Sequence, residues 1–321
     1  MRAFVKGAGV AGLAIAFELR RHGYAVEVAD RAGAVGAGAS GLAGGMLAPF
    51  CEGESAPEAV TRLGGLAAGW WDAAVPGHVS RKGTLVVAPP RDGGELTRFA
   101  ARTGGHEWLD EDGIAALEPA LAGRFRRALF FRGEAHLDPR AALSALHTRL
   151  VQDGVGFHFA APSNLRHARF AAVFNCIGAE AIGTVPGLRG VRGEMLSLQT
   201  SEIALSRPVR LLHPRHPIYV VPRAGGRFMV GATMIETNEA GAISARSLME
   251  LLNATYALHP AFGEARVVET GVGVRPAFDD NLPRVVCMGD EIHVNGFFRH
   301  GFLLAPALAR ETVSFLERIP A

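Results

Sequence analysis

The chain opens on an apolar run, Ala3-Phe4-Val5, that ends at a charge, Lys6, and breaks into Gly7-Ala8-Gly9-Val10-Ala11-Gly12. Such a run predicts a short buried strand, and the glycines predict a tight turn. Residues 13–21 carry apolar side chains at helical spacing and predict a helix closed by Gly23, after which residues 25–29 predict a second strand with Asp30 at its end. Further on, residues 31–48 form a glycine- and alanine-rich connection suited to a backbone passing close to a flat ligand. Residues 56–74 predict a helix with Trp70 and Trp71 near its end, read as packing residues, and residues 83–89 predict a strand. Residues 94–103 and 110–118 read as surface helices, and no site is assigned to that charged stretch. Asp138-Pro139 signals a helix start, continuing to about Gln152. Residues 157–159 and 170–175 predict strands, the latter ending in the small-residue turn Asn175-Cys176-Ile177-Gly178-Ala179.

From residue 189 to 280 the pattern changes to alternation. Residues 193–199, 218–222 and 227–232 predict antiparallel strands, 244–256 a helix, and 267–274 a strand that delivers Arg275-Pro276. Short strands follow at 284–288 and 292–295, then a last helix to about Glu317, with Pro306 expected in its first turn. Dinucleotide-type pieces thus lie at both ends and in the middle, with antiparallel segments between them. That order predicts two domains interleaved in sequence.

The opening turn is a G-x-G-x-x-G fingerprint with its strand, helix, second strand and acid in register. Gly7 permits the turn, Gly9 lets a pyrophosphate approach the backbone, and Gly12 lets helix and strand pack closely. The helix N-terminus offers free N–H groups and a positive dipole end to phosphate. Asp30 lies 18 residues past Gly12 (30 − 12), where a carboxylate accepts from ribose hydroxyls. Lys6 departs from the usual apolar strand end, though its stem can be buried while its ammonium reaches water.

Composition excludes more than it selects. With 33 basic against 31 acidic residues the chain carries a net charge of +2, which provides no electrostatic footprint for nucleic acid or an anionic membrane. Cys51, Cys176 and Cys287 are too far apart for a metal motif or a disulfide framework, so a reducing, cytoplasmic location is expected. Glu18 and the glycine spacing argue against reading the apolar N-terminus as a signal peptide. No run of about 18 apolar residues occurs that would span a membrane. His136, His213, His216 and His300 match no ligand spacing, so no metal is expected.

The fingerprint does not separate NAD from FAD. No second fingerprint follows a strand, since Gly271-Val272-Gly273 lacks a third glycine and Gly187, Gly190 and Gly193 are wrongly spaced. A chain with one site either uses NAD against its substrate, as a dehydrogenase does, or FAD that the substrate reduces directly.

Six stretches carry a resemblance: Gly7–Gly12; Gly38-Ala39-Ser40 with Gly44-Gly45-Met46-Leu47-Ala48-Pro49; Gly193-Glu194-Met195-Leu196; Tyr219-Val220-Val221-Pro222-Arg223 with Val230-Gly231-Ala232-Thr233-Met234; Arg275-Pro276; and Phe298-Arg299-His300-Gly301 with Leu304-Ala305-Pro306. In that order and spacing the chain resembles the FAD-dependent amine oxidases of the D-amino-acid oxidase family, and within it the glycine oxidases of thiamine biosynthesis. His300 departs from a common Asn, and Pro217 from a His that can stand two before the tyrosine. The resemblance implies an α/β fold. A Rossmann-like FAD-binding domain of glutathione-reductase type (1–80, 135–187, 283–321) would be interleaved with an antiparallel-sheet α+β substrate-binding domain (81–134, 188–282).

The resemblance also implies oxidative deamination of glycine or a small amine or D-amino acid by hydride transfer to non-covalent FAD, with oxygen as the expected acceptor and a quinone as the alternative. Arg275 and Tyr219 would hold the substrate carboxylate, Arg299 would be a second basic residue beside it, and Met234 would line the pocket. No residue is assigned as a certain catalytic acid or base. The cofactor would be held by Gly7, Gly9, Val10, Ala11, Gly12, Asp30, Arg31, Ser40, Gly44, Gly45, Met46, Cys176, Gly178, Arg299, His300, Gly301, Phe302 and Leu303, with Gly301 and Leu303 presenting N–H groups to the flavin. Alternatives are another FAD-dependent D-amino-acid dehydrogenase or oxidase, and a flavin domain acting on modified tRNA, which the near-neutral charge disfavours. The oligomeric state stays open, a homo-oligomer included.

Overall fold

A computed structural model describes residues 1–161 and 170–316. Two sheets organise them. The first has six strands in the order Arg284–Met288, Glu291–Asn295, Ala172–Asn175, Arg2–Lys6, Ala25–Ala29, Gly156–His158. Its five inner and far-edge strands run parallel, and only Arg284–Met288 is antiparallel to its neighbour. Strands in such a sheet are covered on both faces, which explains the unbroken apolar run Ala3-Phe4-Val5, all buried. Lys6 is accommodated by pairing with Glu291 of the adjacent-but-one strand, and Glu291 also accepts from Asn175 Nδ2 at 2.9 Å.

The second sheet has nine strands. Along it run Ile235–Glu236, Arg189–Gln199, Arg227–Gly231, Ile218–Arg223, Val209–Leu211, Thr84–Val87, Arg127–Phe131 and Glu107–Asp110, and Arg266–Ala277 also pairs with Arg189–Gln199. The expected antiparallel character holds for most pairs, but Val209–Leu211 runs parallel to Thr84–Val87. The charged stretch read as surface helices does form them, Gly93–Arg102 and Glu111–Leu117. Between those helices the strand Glu107–Asp110 forms, and beyond them Arg127–Phe131, neither of which the sequence pattern announces.

Two helical expectations are corrected. The helix expected over 56–74 is two helices, Glu58–Gly64 and Ala67–Ala74, parted at the Gly64-Gly65 pair. Gly64 is needed there because a Cβ would lie 2.7 Å from Leu303 Cγ. Pro306 is not in the first turn of the last helix: the helix spans Gly301–Leu316, and Pro306 sits inside it. A proline lacks the N–H that would bond the carbonyl four residues back. That carbonyl, Phe302 O, instead accepts from Trp71 Nε1 at 2.9 Å, with the two rings stacked 5.4 Å apart. Trp70 donates to the buried Glu18 at 2.5 Å, so both tryptophans pack and bond the helices that cover the first sheet. The C-terminal end expected at Glu317 lies outside the described residues. Among the described residues no helix is long and apolar enough to cross a membrane.

Candidate active site

One cleft of about 810 Å³ runs between the two sheets, near the upper end of the roughly 300–1,000 Å³ usual for ligand sites. At one end it is made of backbone. The fingerprint turn leaves the Arg2–Lys6 strand, and its glycines are dictated by contact. A Cβ on Gly7, whose φ is +99°, would lie 2.4 Å from Cys176 O, and one on Gly12 would lie 1.8 Å from Gly7 O. Gly12 therefore packs the helix Val10–Arg21 onto the turn and does not line the cleft, whereas Gly7, Gly9, Val10 and Ala11 do. Ser40 Oγ accepts from Val10 N at 3.1 Å. The amides of Gly9 and Ala11 donate to no described protein group, which leaves them for a ligand.

Asp30 lines the same end and accepts from Ala8 N at 2.6 Å and Ala32 N at 2.8 Å, so its carboxylate braces the turn. Arg31 is placed elsewhere: it is exposed, outside the cleft, and paired with Glu180 at 2.8 Å. Cys176 and Gly178 line the cleft, and burial pushes the Cys176 thiol up to about 12. Cys51, by contrast, is fully buried in a separate apolar cluster.

Gly44, Gly45 and Met46 carry the chain along the cleft, and Gly301, Phe302 and Leu303 close it at the start of the last helix. There the Leu303 amide, expected to be free, already donates to His300 O at 3.0 Å; the amides of Gly301 and Phe302 have no partner among the described residues. A cleft with free amides at two helix N-termini and glycines where side chains would intrude fits an extended dinucleotide.

The other end is made of side chains. Directly opposed residues share a face of a sheet, and one transverse row places Arg210 opposite Tyr219, Tyr219 opposite Gly231, and Met195 opposite both Gly231 and Gly271. From Tyr219 onward large residues alternate with glycines, and Gly231 gives Tyr219 room while Gly271 gives Met195 room. A Cβ on Gly231 would lie 2.7 Å from the Tyr219 ring, and one on Gly44 would lie 2.6 Å from its Cε2. A Cβ on Gly193 would lie 2.1 Å from Arg275 Cζ.

Arg275 donates from Nη1 to Thr233 O at 3.0 Å, and no carboxylate pairs with it among the described residues. Burial lowers its pKa, but a guanidinium remains charged. Tyr219 lies within electrostatic reach of Arg275, and burial raises its pKa, so the phenol stays a neutral O–H donor. Met234 lines the mouth, 54% exposed, and lies 3.7 Å from Arg299 Nη1 through its sulfur.

Sequence reasoning missed Glu52. It ends the short helix Pro49–Glu52, lines the cleft, and bonds Arg299 Nη2 at 2.6 Å and His300 Nε2 at 2.9 Å, with Arg210 Nη1 3.6 Å away. Burial acts to raise its pKa, but Arg299, His300 and Arg210 outweigh it and hold the carboxyl below its ordinary range. Its partners are 158 or more residues away (210 − 52), so no local spacing announces it. The other histidines stand apart: His136 is buried opposite Met46 on a paired strand, and His213 stacks on His216 at 5.7 Å.

A backbone cradle for a dinucleotide facing a cationic pocket defines the class, a dinucleotide-dependent oxidoreductase. Residues 2–314 match the family model described as DAO, FAD dependent oxidoreductase, and the chain belongs to that family. That sets aside an NAD dehydrogenase. Over 318 residues it is 67% identical to a Rhizobium etli protein named "Putative thiamine biosynthesis oxidoreductase ThiO", spanning 97% of this chain and 95% of that one. It is 26% identical to the glycine oxidase of Bacillus licheniformis, over 94% of this chain and 89% of that one. The crystal structure of glycine oxidase from Geobacillus kaustophilus superposes with a TM-score of 0.81 at 23% identity, over 100% of this chain and 96% of that one, which shows a shared fold.

Proposed function

We propose that the chain oxidises glycine, or an amine or amino acid of similar size, to its imine, as a step towards the thiazole of thiamine. The observation that carries this reading is Arg275, a cation at the cleft wall whose hydrogen-bond partner among the described residues is a carbonyl, with no acidic group paired to it there. A carboxylate meets it with two parallel hydrogen bonds, and the Tyr219 hydroxyl adds a third. When bound, FAD supplies the acceptor for the hydride that leaves the substrate Cα.

The chain's own residues orient and enclose. Arg275 and Tyr219 fix the carboxylate, Tyr219 and Met234 line the cleft where a substrate side chain would extend, and the amides of Gly301 and Phe302 offer a positive helix end. At the cofactor end Gly9, Ala11 and Ser40 would hold the phosphates, and the Asp30 carboxylate, which keeps its bonds to Ala8 N and Ala32 N, has acceptor capacity left for ribose hydroxyls. Cys51 is buried away from the cleft, which supports a non-covalent cofactor. We read the first sheet with its helices as the cofactor domain and the second as the substrate domain, interleaved as 1–80, 135–187 and 283–321 against 81–134 and 188–282. With oxygen as the acceptor of the substrate's two electrons, the products are imine and hydrogen peroxide, and imine that meets water is hydrolysed to the oxo acid with release of ammonia, or of an alkylamine from an N-alkyl substrate. The 67% identical relative supports the thiamine context.

Discrimination for a substrate with no side chain must come from excluding larger ones. Peroxide release across glycine, sarcosine, D-alanine and D-phenylalanine should favour the first three. A preference for D-phenylalanine, or turnover of none, would overturn the assignment while leaving the family intact.

A further inference from the structure

At the substrate end the cleft is lined by three guanidinium groups, Arg275, Arg299 and Arg210, and by the Glu52 carboxylate. They are not equivalent. Arg299 is committed to Glu52 at 2.6 Å, with Ser55 Oγ at 3.0 Å as a further partner, and Arg210 approaches the other Glu52 oxygen at 3.6 Å. Arg275 has no acidic partner among the described residues. We propose that Glu52 is a specificity-determining residue: it occupies the face of Arg299 that a second substrate carboxylate would take, and so restricts the site to amines bearing one carboxylate. This rests on the reading that Arg275 clamps that carboxylate.

Three observations support it. Glu52 stays ionised despite its burial, because Arg299, His300 and Arg210 surround it. Its backbone is fixed: the neighbouring Cys51 amide donates to the buried Glu134 at 2.7 Å, and Pro49 O accepts from Thr61 Oγ1 at 3.2 Å. It also lines the same cleft as Tyr219, Arg275 and Arg299, and Arg299 reaches Met234 Sδ at 3.7 Å while Arg275 bonds the adjacent Thr233 O at 3.0 Å, so the groups share one pocket. A dicarboxylate amine such as iminodiacetate, anchored by one carboxylate at Arg275, would bring its second against a fixed anion where solvent screening is weak. The exclusion is by repulsion, the kind of device a pocket needs when its preferred substrate offers nothing to grip.

The test compares kcat/KM for glycine and iminodiacetate in the flavin-loaded wild type, Glu52→Gln, Glu52→Asp and the double variant Glu52→Gln/Arg299→Met. Removing the charge while keeping the shape should shift the ratio towards iminodiacetate by about tenfold or more, chiefly through KM. Glu52→Asp should stay near the wild-type ratio, and the double variant should lose most of the gain. Calorimetric binding of malonate against acetate to the same holoenzymes should move the same way, whereas mere loosening of the pocket would weaken both ligands. An unchanged ratio in Glu52→Gln, a full gain in the double variant, or wild-type enzyme that binds malonate better than acetate would overturn the proposal. Wild-type enzyme that ignores glycine, while malonate binding still follows the charge at Glu52, would instead overturn the reaction assigned above.

Discussion

The two ends of the cleft both depend on missing side chains, but what fills the space differs. At the cofactor end, backbone meets backbone: Gly12 lies against Gly7 O and Gly7 against Cys176 O, and the room left over belongs to the ligand. At the other end, backbone meets the chain's own polar side chains: Gly44 and Gly231 both lie against the Tyr219 ring, and Gly193 lies against the Arg275 guanidinium. An intruding atom at the first end strikes something that cannot move. At the second it strikes something that can rotate away, with loss of aim.

That contrast is broken or sharpened by adding one methyl group at each end. Helix propensity alone favours Gly12→Ala by about 0.5–1 kcal/mol, but its Cβ would lie 1.8 Å from a fixed carbonyl oxygen. The clash wins, and a loss of roughly 3 kcal/mol or more is expected, seen as a fallen Tm and no retained flavin. Gly193→Ala, with its Cβ 2.1 Å from Arg275 Cζ, should keep flavin and fold while losing about tenfold or more in kcat/KM for glycine. Equal damage to flavin retention in both variants would erase the distinction.

Legibility follows the same line. The cofactor end was readable because its parts are neighbours in sequence: the turn, its helix and Asp30 all fall within the first thirty residues. Arg275 and Tyr219 were nameable only through the family resemblance, since an arginine before a proline and a strand tyrosine carry no signal of their own. Glu52 escaped even that, because its meaning lies in Arg210, Arg299 and His300, which the fold alone brings to it. Lys6 looked anomalous for the same reason until Glu291 appeared beside it. Pro306 was misplaced because the compensating donor, Trp71, is 235 residues away (306 − 71).

A smaller effect lies beneath each end. Glu134, which bonds the Cys51 amide under the charged end, has its pKa raised to about 7 by burial. Its folded value exceeds its unfolded one, so its contribution is present below about pH 4.5 and is lost as pH rises through 7. His136, opposite Met46 under the cofactor end, is held down at about 4 by burial and by Arg223. Its contribution is present above about pH 6.5 and is lost as pH falls through 4. Between pH 7 and 5 the two nearly cancel. Urea unfolding should therefore show Glu134→Gln losing about 2 kcal/mol on acidification over that range and His136→Gln gaining a similar amount, relative to wild type. Wild-type slopes in both variants would remove these groups from the account.

The central claim is that Arg275, a cleft cation with no acidic partner among the described residues, selects an amino-acid carboxylate, beside a cofactor cradle that does not depend on it. Anaerobic mixing with glycine, followed by the visible absorbance of the bound flavin, tests it directly in wild type and Arg275→Ala. Both proteins should carry the same flavin spectrum, wild type should bleach, and the variant should bleach about 10² times more slowly or worse, the consequence of losing the partner of a desolvated carboxylate. Bleaching of the variant at the wild-type rate, or an unbleached wild type, would contradict it.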